Sequence, residues 1–481
     1  MAQRLAATLT GLATLALAGC SGEEGTPDYG DRRPVILISI DSLRSDHCTP
    51  YGHVPLFAPD EQTTPFLARM ADEGVLFENA SGAAPWTLPS HMSLLTGMHP
   101  REHGVRLRTH RAGDGLELLS GRMRSAGYQT AGFFSGPFLH PVWGFGHGFD
   151  VYQPGVAYLA EEENSRALAG PWTNDIEQIH DLSHHDKECA SQVMGKAISW
   201  LEKKDRYRKP FFLFLHLWDP HYDYFPPADY RKRFMPQDDG SIVGDELLKK
   251  DIPLTNELRD GLQALYDAEI RYTDDWMATL DAKLLEWGIR DQVILLVTAD
   301  HGDEFMEHGD RGHQHTLYEE VMHVPMVLRA PGLAPAGRRI QGSVSITDAA
   351  ATLLDLAGIP GWPERSGRSL RPLWTEADRD YTVRMDLVRP VLGIQLLGWR
   401  EGNDKLIFDT AATQGLVFDL AADPTEQTPG KFGPRDQNPV LKRGLAAFGA
   451  EPRVLPFPPG EKDEPAHVRE ALSQVGYTDD K

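Results

Sequence analysis

Apolar runs of strand length alternate along this chain with stretches of helical periodicity, the pattern of a sheet covered by helices on both faces. Val35–Ile40 is a near-continuous apolar run, as expected of a strand buried on both sides. Gln129–Phe134, Phe211–Leu215, Val293–Val297 and Val324–Leu328 read as further strands. Between them, Thr64–Gly74 predicts a helix with Pro65 in its first turn and Gly74 closing it. Leu116–Ala126, Lys187–Glu202, Asn256–Trp287 and Ile346–Leu356 predict others. The expected fold class is α/β, a large and mostly parallel sheet sandwiched by helices.

From about Tyr381 the pattern changes. Leu397–Arg400, Asp404–Phe408 and Gly415–Leu420 are short strands separated by turn residues, which predicts a small C-terminal antiparallel subdomain. The apolar run Leu5–Leu17 followed by Leu17-Ala18-Gly19-Cys20 reads as a bacterial lipoprotein signal, with Cys20 lipidated. That places the chain outside the cytoplasm, anchored to a membrane facing the periplasm or the cell surface. The expected organisation is a signal peptide at 1–20, a tether at 21–33, a catalytic domain at 34–375, the antiparallel subdomain at 376–450 and a partly disordered tail at 451–481. Besides Cys20 there are only Cys48 and Cys189, expected to be unpaired thiols. A formal net charge of -22 argues against nucleic acid and against a polybasic hold on membranes. An anionic ester would therefore have to be attracted by local metal and histidine charge.

Three strands run directly into ligand-type residues: Ile40 into Asp41, Ala299 into Asp300-His301, and Leu215 into His216, with Asp219 and His221 close behind. In a parallel sheet these groups arrive at one carboxyl edge, where α/β sheets build their sites. A lone Asp after a strand is usually a helix cap, but three such ends in one chain argue for a site. Thr87-Leu88-Pro89-Ser90-His91 opens a helix, with Pro89 suited to its first position and Thr87 at its positive end. Free N–H groups there favour a sulfate or phosphate and its transition state.

Ala84-Pro85-Trp86-Thr87-Leu88-Pro89-Ser90-His91, with Leu94–Gly97, and Thr298-Ala299-Asp300-His301-Gly302-Asp303-Glu304 resemble the nucleophile and metal motifs of the sulfatases, within the alkaline phosphatase superfamily. Asp41–Asp46, Asp219-Pro220-His221, Gly312-His313, Thr352–Gly358 and Asp423–Glu426 extend the resemblance over most of the chain. Departures matter as much. Thr87 stands where the family carries the Cys or Ser oxidised to formylglycine, and oxidising a threonine would give a ketone, so no formylglycine is expected. Asp41-Ser42 replaces a pair of acids, His91 replaces an Arg, and Asp300-His301 replaces Asp-Asn. Trading a carboxylate for an imidazole shifts preference from Ca toward Mn or Zn.

The resemblance implies a hydrolase of sulfate or phosphate esters in which Asp41, Thr87, Asp300 and His301 hold a divalent metal and Thr87 attacks directly. One ion is favoured over two, although Asp219, His221, His313 and His315 could hold a second. His91, His221 and His313 complete the expected catalytic set, the last two as acid or as holders of the ester oxygens. His308 and His323 are expected to be structural. Substrates would be small-molecule or glycan esters, whose alcohol portion is contacted by aromatics of Trp143–Asp150 and Tyr222–Pro227 unless those only cover the sheet edge. Alternatives are a phosphodiesterase or phosphotransferase acting on lipid or glycan head groups, and, in another class, a non-catalytic glycan-binding lipoprotein.

Overall fold

The computed structural model describes residues 27–449 apart from 114, 156–188, 245, 246, 248, 250, 251, 390 and 391. The expected signal peptide, residues 21–26 of the tether, the tail and the first residues of the predicted Lys187–Glu202 helix lie outside them.

An eight-stranded sheet organises the main body. In chain order its strands are β1 (Val35–Ile40), β2 (Val75–Ser81), β3 (Gln129–Phe134), β4 (Val151–Pro154), β5 (Phe211–Leu217), β6 (Ile294–Ala299), β9 (Met326–Arg329) and β10 (Arg338–Ser345). The ribbon β7 (Glu304–Phe305) and β8 (Arg311–Gly312) stands apart from it. Across the sheet the order is β10-β2-β9-β6-β1-β5-β3-β4, and only the pairings of β9 with β2 and β6 are antiparallel. The mostly parallel sheet is thus as expected, and every residue of the central strands β1, β5 and β6 is buried.

Register fixes what the sheet presents. Ile40 pairs with Leu217 on one side and Ala299 on the other. Asp41 and Asp300, the next residues along neighbouring parallel strands, therefore emerge together. Ser39 pairs with His216 one step earlier.

Helices follow the predicted stretches with trimmed ends: Pro65–Asp72, Leu119–Ser125, Ala190–Glu202, Asn256–Glu286 and Asp348–Leu356. A second sheet, β11 (Val383–Arg389), β12 (Ile394–Glu401), β13 (Asp404–Asp409), β14 (Gln414–Asp419) and β15 (Gly430–Phe432), is antiparallel throughout. One of its faces packs on Leu317, Val321 and Met322, and the other on Leu441 of the helix Pro439–Ala446. Its attachment to the main body is ionic as well as apolar. Lys405, fully buried, lies 2.8 Å from Glu319 and 2.9 Å from Glu426. Cys48 and Cys189 are buried and are not joined in a disulfide. Among the described residues no helix is long and apolar enough to cross a membrane.

Candidate active site

β1 delivers Asp41 and β6 delivers Asp300 and His301, all buried. Between the strand ends, Ser42 takes a left-handed conformation (φ 55°), so that its N–H donates to Asp300 Oδ1 at 3.3 Å. The hydroxyl of Tyr266 fixes this turn by donating to Ser42 O at 2.6 Å and accepting from the Arg44 N–H at 2.8 Å. Gly302 is required by close approach: a Cβ there would lie 2.3 Å from Glu320 O.

The third contribution is the helix Thr87–Thr96, buried along its whole length. Its N-cap is Trp86, so Thr87 is the first helical residue and Pro89 the third, two positions later than the sequence suggests. Pro89 still lies in the turn that lacks intrahelical acceptors, where proline costs nothing. The Thr87 hydroxyl donates to Asp41 Oδ2 at 3.4 Å. One turn on, His91 places Nδ1 3.0 Å from Thr87 O and 3.3 Å from Asp300 Oδ2, while Nε2 bonds the Ser39 hydroxyl at 2.9 Å. Asp41, Thr87, His91, Asp300 and His301 are thus brought together.

His216 joins them from within β5, its Nε2 3.2 Å from Asp41 Oδ2. The opposite wall carries His221 and His313, with ring centroids 5.3 Å apart, and the His313 ring lies 4.2 Å from that of His301. Asp303, which sequence reasoning passed over, bonds His313 Nδ1 at 2.7 Å and accepts from the Tyr224 hydroxyl at 3.2 Å. Two other expected participants are elsewhere. Asp219 accepts from the Ala190 and Cys189 N–H groups, serving the start of a helix. His315 pairs with Glu304 at 2.9 Å. The four-residue second-metal set of Asp219, His221, His313 and His315 is therefore not assembled. A trio of His301, Asp303 and His313 converges instead. His308 stacks on Tyr318 and His323 bonds Glu78 O, both in structural settings. Of the aromatic loops, Trp143, Phe145, Phe149 and Tyr224 are buried in the main core, Phe149 stacking on Phe212 of the sheet, while Phe225 is exposed.

Electrostatics favour a cation here. Burial pushes the Asp41 carboxyl up, but His216, His221 and His301 together hold it below the usual range. Burial pushes His301 down, yet Asp300, Asp41 and Asp303 raise it overall. His221 is pushed down to about 4 by burial, and burial pushes Asp303 up to about 6. Asp300 Oδ2, His301 Nε2, His216 Nε2 and His313 Nε2 are buried with no well-aligned hydrogen bond, the first three held in ion-pair contacts of 3.2–3.3 Å. One carboxylate oxygen and three imidazole nitrogens left incompletely satisfied in a buried site are costly unless a positive ion completes them. Asp41, Asp300 and His301 offer ligand atoms within 4.8 Å of one another, so the residues fit a divalent metal.

The family model described as sulfatase matches residues 33–359, and that of the N-sulphoglucosamine sulphohydrolase C-terminal region matches 307–429. Choline-sulfatase of Rhizobium meliloti is 26% identical over 450 residues, covering 86% of this chain and 85% of that one. Arylsulfatase K of Homo sapiens is 25% identical over 419 residues, covering 77% and 75%. Phosphonate monoester hydrolase of Agrobacterium radiobacter superimposes with a TM-score of 0.65 at 21% identity, covering 83% and 91%. A solved structure in complex with its substrate D-glucosamine-2-N,6-O-disulfate gives a TM-score of 0.65 at 20% identity, covering 92% and 97%.

Proposed function

This chain belongs to the sulfatase family, a hydrolase of sulfuric or phosphoric ester bonds, and from that premise we propose that it cleaves them by direct attack of Thr87. The observation that carries this reading is the Thr87 hydroxyl, which sits at the positive end of a buried helix and donates to Asp41. Thr87 stands at the formylglycine position, and the hydroxyl serves as nucleophile without prior oxidation.

Asp41, Asp300, His301 and Thr87 would hold one divalent ion, with Mn, Zn or Ca as candidates. Bound there, the ion supplies Lewis-acid polarisation and a lowered pKa for the Thr87 hydroxyl. The chain's own residues do the rest. Asp41 orients the hydroxyl, and His91 holds Asp300 against the helix. The N–H groups of Thr87 and Leu88, which open the helix, are the ones placed to meet the charge that develops on the ester oxygens, since Pro89 has none and that of Ser90 donates to Trp86 O. Thr87 Oγ1 bonds to sulfur or phosphorus, the ester bond breaks, and the proton lost from the hydroxyl is balanced by one gained by the leaving alcohol. His221 and His313 line the opposite wall and are the candidates to carry it. Water then cleaves the sulfo- or phosphothreonine and restores the hydroxyl.

A two-ion centre is the second reading. Asp303 accepts from His313 Nδ1, which turns Nε2 toward His301 as an unpartnered ligand atom, the arrangement of a carboxylate-oriented metal histidine. That tautomer leaves Nε2 with a lone pair, so in this reading His313 holds an ion and His221 alone remains to carry the proton.

Sulfated sugars or small sulfate esters are the proposed substrates, by likeness to the choline-sulfatase and the glucosamine disulfate complex. Phosphate and phosphonate esters stand beside them because of the phosphonate monoester hydrolase. Anchoring through a lipidated Cys20 outside the cytoplasm is part of the same proposal and rests on the sequence of the first 20 residues. Matched aryl sulfate, phosphate monoester and phosphate diester substrates, each assayed with several metals, test the reading. Failure to turn over any of them with any metal would favour a glycan-binding role.

A further inference from the structure

Outside the catalytic centre, three ligand-type side chains converge from separate elements. His47 ends the short turn Ser45–His47, and His53 follows Gly52, whose φ of 96° reverses the chain. Asp267 lies midway along the helix Asn256–Glu286. His47 Nδ1 is 2.7 Å from one carboxylate oxygen of Asp267 and His53 Nε2 is 2.8 Å from the other. The imidazole rings lie side by side, centroids 4.6 Å apart and tilted by 33°. One ligand atom from each residue falls within 4.8 Å of the others.

We propose that His47, His53 and Asp267 form a second cation site, of the zinc class, distinct from the catalytic one. Two imidazoles and one carboxylate are a borderline-soft, singly anionic set that suits zinc better than calcium or magnesium. His47 and Asp267 are buried, while the His53 side chain retains 14% exposure, leaving a solvent side for a fourth, water ligand. The Thr63 hydroxyl donates to His47 O at 2.7 Å and anchors the segment that carries the first ligand. An aromatic layer separates this trio from the catalytic centre. His47 packs 5.0 Å from Tyr266 and 6.2 Å from Phe305, and those rings pack on Tyr224, whose hydroxyl touches Asp303. The two ions would be independent, sharing no ligand. The role of the second is architectural: it staples the segment after Asp41 to the long helix, next to the Tyr266 that fixes Ser42.

The competing account, a carboxylate hydrogen-bonded by two neutral or protonated imidazoles, predicts no bound metal. The full-length double variant Asp300→Ala/His301→Ala, stripped with chelator, reloaded with zinc and desalted, should retain roughly one equivalent per chain, as a three-ligand protein site does. Adding His53→Gln to that background should weaken zinc binding by about tenfold or more. Cobalt substituted for zinc should show the visible absorption of a low-coordinate site, lost with His53→Gln. In the otherwise native chain, His53→Gln should remove one equivalent, which keeps the test valid should the double variant misfold. A double variant that folds but holds no zinc, or a His53→Gln chain with unchanged zinc content, overturns the proposal. If native and Asp300→Ala/His301→Ala chains both carry the same one equivalent, the catalytic ion reading fails while this one stands.

Discussion

His91 Nδ1 lies 3.3 Å from Asp300 Oδ2, tying the helix that carries Thr87 to the end of β6. The same ring reaches Ser39 on β1, so one imidazole sets the spacing of three elements. His91→Ala should leave the Ser39 hydroxyl and Asp300 unsupported, at a cost of about 1–3 kcal/mol in stability. Bound catalytic metal should weaken roughly 10–100-fold, as for other outer-shell partners. Urea denaturation and metal titration read the two effects separately.

Asp300→Ala and His301→Ala should each abolish most of the activity and the catalytic metal while circular dichroism stays native. A His301→Ala chain with full metal occupancy at this centre would remove the residue from the ligand set.

Thr87→Ala should bind substrate yet turn it over slower by about two orders of magnitude or more, because helix-end N–H groups and histidines persist. Thr87→Ser should keep a substantial part of the rate. Peptide mass analysis should find unmodified threonine, with equal activity from hosts that do and do not make formylglycine. A Thr87→Ala enzyme close to native speed would make water the attacking group.

Asp274 accepts from the Phe66 and Leu67 N–H groups, yet burial pushes its carboxyl up from 3.8 to about 7. A carboxyl whose pKa is higher folded than unfolded binds its proton more tightly when folded. Its contribution to stability is complete below pH 3.8 and is lost as pH rises to about 7. Unfolding free energies measured across this window should fall with a slope that Asp274→Asn removes.

Lys405 is enclosed by Glu319 and Glu426 where the antiparallel sheet meets the main body. Lys405→Met leaves two buried carboxylates facing each other and should cost about 3–5 kcal/mol. The thermal midpoint of the full chain reads this loss.

Asp41, Asp300 and His301 were legible because each ends an apolar run, and parallel register carries such ends to one edge. The convergence of Asp303 on His313 was not, since two residues past a strand end a carboxylate reads as loop. Asp267 was hidden for another reason: an acid inside a long helix normally faces solvent, and only the fold shows two histidines meeting it. β11 escaped because Arg384, Asp386 and Arg389 interrupt its apolar pattern. Those charges are spent on Glu102, Arg106 and Gln314 across the junction. Asp219 misled by position, as its strand-end placement is equally that of a helix cap.

The Ser42–Asp300 hydrogen bond spans 258 residues of sequence. A ribosome-bound chain that has exposed Asp41 and Thr87 still lacks the other half of its centre until β6 has emerged and slotted beside β1. Capture of the catalytic ion and catalytic competence thus belong to the last stages of assembly, and amino-terminal fragments that end before β6 should neither cleave the ester nor hold that ion.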